Sequence, residues 1–79
     1  MFETFAKYVA KCAGIDADKI DVFEVDLDRV YFRSGADEYI IRMWNITNEE
    51  VREYTLYRMV ADERGSHGEE VYYGEHYRI

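Results

Sequence analysis

The apolar residues of this chain change period at Gly14, and no other feature limits the fold as much. Up to that point Phe2, Phe5, Ala6, Val9, Cys12 and Ala13 recur at intervals of three and four, which is one stripe of an amphipathic helix. Glu3 and Lys7 stand four apart in the favourable order on another face. Gly14 sits where a helix C-terminus takes a left-handed residue. The pattern predicts a helix over residues 2–13, with Cys12 as a small core residue on its stripe. So short a helix is marginal alone and must pack on something.

Beyond Gly14 the period is two. Ile20 and Val22 alternate with Asp21, and Val25 and Leu27 with Asp26, while Phe23-Glu24 breaks the phase and predicts a bulge or bend. Val30 and Phe32 alternate with Arg29, Tyr31 and Arg33, and Ser34-Gly35-Ala36-Asp37 reads as a turn. The run Tyr39 to Ile46 is apolar enough to lie centrally, and Thr47 to Glu50 turns the chain again. Val51 to Val60 reads as a long strand and Ala61 to Glu69 as a polar loop, in which GSHG is a flexible hairpin connection. Glu70 to Ile79 reads as a last strand with a bend at Gly74. Strands joined by short connections are neighbours in space. The expected architecture is one α+β domain over residues 1–79: an N-terminal amphipathic helix packed on one face of a four- or five-stranded antiparallel meander.

One helix covers one face and leaves the other to water. Candidates for the open face are Arg29, Tyr31 and Arg33, then Arg42 and Trp44, Arg52 and Arg58, and Tyr72, His76 and Arg78. Eight tyrosines in 79 residues suit such a half-buried face or a binding surface.

The net charge is −7, from 17 acids against 10 bases, which argues against a general nucleic-acid binder and against an anionic membrane surface. A single cysteine permits no internal disulfide and fits a reducing cytoplasm. The segment MFETFAKYVAKCAG mixes Lys and Glu through its apolar residues and reads as neither a signal peptide nor a membrane span.

Motifs for chemistry fail one by one. Asp16, Asp18 and Asp21 open like a calcium loop, but the fifth position is Ile20 and the sixth is Asp21 where glycine is needed. Cys12, His67 and His76 have no zinc spacing. Ser34 and Ser66 are turn residues, and GSHG lacks the Lys-Ser/Thr of a phosphate loop. The chain reads as a non-enzyme without cofactor or metal.

What remains is IDADKIDVFEVDLD, residues 15–28, with six acids against Lys19 alone. Residues two apart on a strand share a face at roughly 7 Å, near the spacing of backbone phosphates. Asp26 and Asp28 meet that spacing, as do Asp16 and Asp18 if extended, whereas Asp21 and Glu24 share a face only if the chain bulges between them. Edge charges block sheet-to-sheet aggregation, which accounts for one or two acids but not for six. The expected contact set is Asp16, Asp18, Asp21, Glu24, Asp26 and Asp28 with Asp37 and Glu38, and the expected partner is a basic protein or ribonucleoprotein complex.

In its acidity, its 15–28 acid run and its lack of catalytic motifs, the chain resembles the small phage-encoded inhibitors, among them anti-CRISPR proteins and DNA mimics. That resemblance implies stoichiometric inhibition of a host nuclease complex in the host cytoplasm, by occupation of its basic surface. Two other readings compete. One is a homodimeric accessory module that buries the aromatic face or pairs its last strand. The other is a nucleic-acid-binding sheet built on Tyr31, Trp44, Tyr72 and the strand arginines.

Overall fold

A computed structural model describes residues 2–79. Helix α1 spans Phe2–Cys12 and is followed by a single 3-10 turn, Ala17–Lys19. Five strands come next: β1 Ile20–Val25, β2 Arg29–Ser34, β3 Asp37–Ile46, β4 Glu50–Asp62 and β5 Gly65–Arg78. They form one sheet in the order β1-β2-β3-β4-β5, each antiparallel to its neighbour. The fold is α+β, a helix on a five-stranded antiparallel meander, with β1 and β5 as its edges.

The helix ends as Gly14 requires. Gly14 takes φ of 80°, its N–H reaches the Lys11 carbonyl at 3.1 Å, and the Ile15 N–H reaches the Ala10 carbonyl at 2.8 Å. This pair of bonds is a Schellman ending, and it turns Ile15 back against the core. Phe5, Ala6, Val9 and Ala10 are buried, but Cys12 is exposed, contrary to the expectation of a core residue. At 100° per residue Cys12 lies at the margin of the stripe, and Ala10 takes its place. There the Cys12 thiol meets the Tyr72 hydroxyl and, with burial, pushes that phenol's pKa up.

The core lies between α1 and the middle strands: Val30 and Phe32 from β2, Tyr39, Ile41 and Met43 from β3, Val51, Tyr54 and Leu56 from β4. The register explains the set, because Phe32 faces Tyr39, Ile41 faces Leu56 and Met43 faces Tyr54 across the ladders. Phe5 is the helix's main anchor. Its ring meets Tyr54 edge-on at 5.2 Å and Tyr77 at 4.7 Å between centroids. Burying a side chain of this size contributes roughly 1.5–3 kcal/mol.

Two sequence expectations are corrected on the long hairpin. Residues 61–69 are not a loop: past a register shift between Leu56 and Tyr57, β4 and β5 pair as far as Asp62↔Gly65, leaving only Glu63-Arg64 as the connection. GSHG is thus the start of β5, and the Arg64 N–H bonded to Asp62 Oδ1 at 2.8 Å closes the turn. The irregularities of β5 fall on either side of Gly74: the register shift leaves Val71 as an extra residue, and His76 takes φ of 56°. Gly74 serves contact: a Cβ there would overlap the Tyr54 ring directly opposite.

Candidate protein-binding edge

Strand β1 is an edge strand of only six residues, with one free side. Its register against β2 shifts between Val22 and Glu24, so the bulge expected at Phe23-Glu24 is present. Val22 faces Phe32 on the helix side, while Asp21 faces Arg33 and Glu24 faces Tyr31. The bulge therefore brings Asp21 and Glu24 to the same, helix-free face, which a regular strand cannot do. Phe23 joins them: the Arg33 guanidinium lies 4.0 Å over its ring, and the Tyr31 ring is 6.2 Å away.

The other acids flank the strand instead of continuing it. Asp16 and Asp18 are not extended. Asp16 caps the 3-10 turn, its carboxylate accepting the Asp18 N–H at 3.1 Å, and it lies 3.9 Å from Lys19. Asp26 and Asp28 belong to the β1–β2 turn and not to a strand. The Asp26 N–H donates to the Arg29 carbonyl at 2.8 Å, and the Asp28 carbonyl accepts from Met43 on β3 at 2.8 Å. Asp37 and Glu38 begin β3, across the Ser34–Asp37 hairpin from the start of β1. The evenly spaced carboxylate row is thus replaced by two groups. Asp16, Asp18, Asp21, Asp37 and Glu38 gather at one end of β1 and Asp26 and Asp28 at the other, with Glu24 between them. At about 3.3 Å per residue the span from Asp21 to Asp26 is roughly 17 Å.

All eight carboxylates are exposed. Three have a cation nearby: Asp16 with Lys19, Asp28 with Arg29 at 4.0 Å, and Glu38 with Arg33 at 3.3 Å. Asp18, Asp21, Glu24, Asp26 and Asp37 have no ion-pair partner among the described residues. Among those residues, no three His, Cys, Asp or Glu side chains converge into a metal-holding group. The edge can therefore offer separate charges to an outside surface.

The sequence reading missed the apolar part of this edge. Leu27, at the hairpin tip between Asp26 and Asp28, is 96% exposed, and Val25 and Phe23 are 45% and 40% exposed. The alternation of Val25 and Leu27 with aspartates suggested one continued strand with a buried face. The chain turns at Asp26 instead and points Leu27 at solvent.

On the open sheet face Arg29, Tyr31, Arg33, Arg42 and Trp44 stand as expected, and the Arg42 guanidinium lies 5.1 Å over the Trp44 ring. Tyr72 and Arg58 do not. Tyr72 pairs with buried Leu56 and packs against the core, and Arg58 pairs with buried Tyr39 on the helix side and reaches Glu69 at 3.6 Å. Thr55, Tyr57 and Met59 from β4 and Tyr73 from β5 take the open face instead. Beside Arg42, the Tyr31 hydroxyl, with Asp28 and Asp26 adding, pushes the Arg29 pKa up and so favours its charge.

No helix among the described residues is long and apolar enough to cross a membrane. In comparisons with known proteins, no family model, no curated protein and no solved structure matches this chain.

Proposed function

We propose that this chain is a small protein-binding inhibitor that occupies the basic surface of a nucleic-acid-handling complex, as phage-encoded anti-CRISPR and DNA-mimic inhibitors do. The observation that carries this reading is the make-up of the β1 edge: five carboxylates without an ion-pair partner among the described residues, spread along a strand that exposes Phe23 on the helix-free face and Leu27 at the tip between Asp26 and Asp28. Charges that blunt a strand edge account for one or two acids, whereas six acids fall within residues 15–28. Exposed apolar side chains set among charged ones occur at protein interfaces. The carboxylates steer a basic partner into encounter, and Leu27 seats in an apolar pocket framed by lysines or arginines.

The test is charge reversal at the tip. Asp26→Lys with Asp28→Lys is expected to abolish partner binding and to leave the far-ultraviolet circular dichroism and melting temperature unchanged, since both side chains are exposed. Normal binding by the double variant would reduce the acid edge to a solvated surface.

A second reading has its own support. Strand β5 is the longest strand, yet it lies at the sheet edge, with Val71 and Tyr73 exposed. A second copy pairing along β5 would cover that edge. A molar mass of twice 9.5 kDa by light scattering would support it, and a monomer at high concentration would remove it.

A further inference from the structure

The sheet face that α1 leaves open is not flat. Arg29, Ile40, Arg42, Tyr57, Met59 and Gly68 line a concavity of about 330 Å³ that opens to solvent. Its floor follows from the register: Ile40 faces Tyr57 across β3–β4, and Met59 faces Gly68 across β4–β5. Gly68 keeps it open. A Cβ there would lie 3.2 Å from the Tyr57 Cβ, and any longer side chain would rise into the space.

Its wall carries an electrostatic anomaly. Arg29 and Arg42 are direct partners across the β2–β3 ladder, and like charges placed opposite each other destabilise a sheet. The chain does not lack acids with which to relieve them, having 17 against 10 bases. Even so, Arg42 meets no carboxylate among the described residues, only the Trp44 ring at 5.1 Å. Arg29 has Asp28 at 4.0 Å, reached from the hairpin and not from within the concavity. Both arginines line the concavity beside its apolar floor, and a guanidinium fork suits a compact anion, which it can grip with paired N–H groups.

We infer that this concavity binds a small organic anion, a carboxylate or a phosphate on a flat apolar body. The anion lies between Arg29 and Arg42, and the body lies on Ile40, Tyr57 and Met59. The volume is at the lower end of the small-molecule range. A polyanion needs a continuous basic track, whereas Glu70 stands opposite Tyr57 and Glu53 opposite Trp44 on the neighbouring strands. This surface adjoins the β1 edge only through Arg29, which pairs with Asp28, and its ligand does not depend on the inhibitor reading.

The test titrates 2-naphthoate, 2-naphthyl phosphate and uncharged 2-naphthamide into the full chain and follows the Ile40 and Met59 methyl and arginine Nε signals by NMR. One or both anions are expected to shift these signals saturably, and the better of the two identifies the headgroup. The amide should bind about tenfold more weakly, in line with loss of a charge-assisted contact. Arg42→Gln, with an unchanged melting temperature, should weaken the anion by a similar factor. If that variant does not fold, Arg29→Gln carries the same expectation. The inference fails if the amide binds as well as the anions, if the shifts fall elsewhere, or if the folded arginine variant keeps full affinity. It also fails if a single-stranded oligonucleotide binds these residues more tightly than either naphthyl anion, which would make the face a nucleic-acid surface.

Discussion

Gly74 and Tyr54 show how closely single residues are matched in this fold. Because a Cβ at Gly74 would overlap the Tyr54 ring, Gly74→Ala is expected to cost about 1–3 kcal/mol by overpacking. Urea unfolding measures this, and Gly68→Ala, whose Cβ meets Tyr57 at the wider 3.2 Å, should cost less. Tyr73 on the open face makes a different kind of contact, donating its hydroxyl to Glu53 at 3.1 Å and bonding Glu75 at 3.3 Å. Lost hydration and these two carboxylates push its pKa up to about 12, from the usual value near 10. The folded chain therefore holds this proton more tightly than the unfolded chain. Its stabilising effect is complete below pH 10 and is lost as pH rises through about 12. Tyr73→Phe should accordingly lose less stability than the parent between pH 10 and 12, as read by urea unfolding at several pH values. Sequence pattern could mark Gly74 as special but could not give the reason, since the ring that excludes a Cβ comes from another strand.

At the scale of elements, the helix, its glycine stop, the β1 bulge and the meander were all legible, because each leaves a local signature in period or turn residues. The faces of β4 were not. Its even positions carry Arg52, Tyr54, Leu56 and Arg58 and its odd positions Val51, Glu53, Thr55, Tyr57 and Met59, so both series mix polar with apolar. The helix covers Tyr54 and Leu56 of the even series, yet Val51 of the odd series is buried in the core with them, so no single period describes the covered face. The start of β5 was hidden for a related reason. Residues 65–70 are exposed throughout, so no apolar alternation marks them, and their extended form comes from backbone pairing with β4. The β1–β2 turn was misread because Asp26-Leu27-Asp28 imitates strand alternation. Removing the anchor of α1 shows how much the sheet depends on its helix. Phe5→Ala is expected to cost about 3–5 kcal/mol, comparable with the whole stability of a domain this small, and should leave the chain largely unfolded by circular dichroism. Leu27→Ser, at the exposed tip, should change stability by less than about 0.5 kcal/mol and yet weaken partner binding.

Across the whole molecule, charge and apolar exposure are divided among three surfaces. The β1 edge is acidic with an apolar tip, the open face holds an opposed arginine pair over an apolar floor, and the β5 edge is long and unpaired. The net charge was legible from composition, but its division was not, because the unpaired acids and the opposed arginines depend on strand order and register. The β1 edge carries five carboxylates without an ion-pair partner among the described residues, and it is the most direct place to test the proposed function. The measurement is affinity capture from bacterial lysate with the parent chain and the Asp26→Lys, Asp28→Lys variant in parallel, each washed at low and then at high salt. A basic nucleic-acid-handling complex held by the parent at low salt, released at high salt and never held by the variant is the expected result. Retention of the same complex by both chains, or recovery of nothing but the chain itself, would contradict the account.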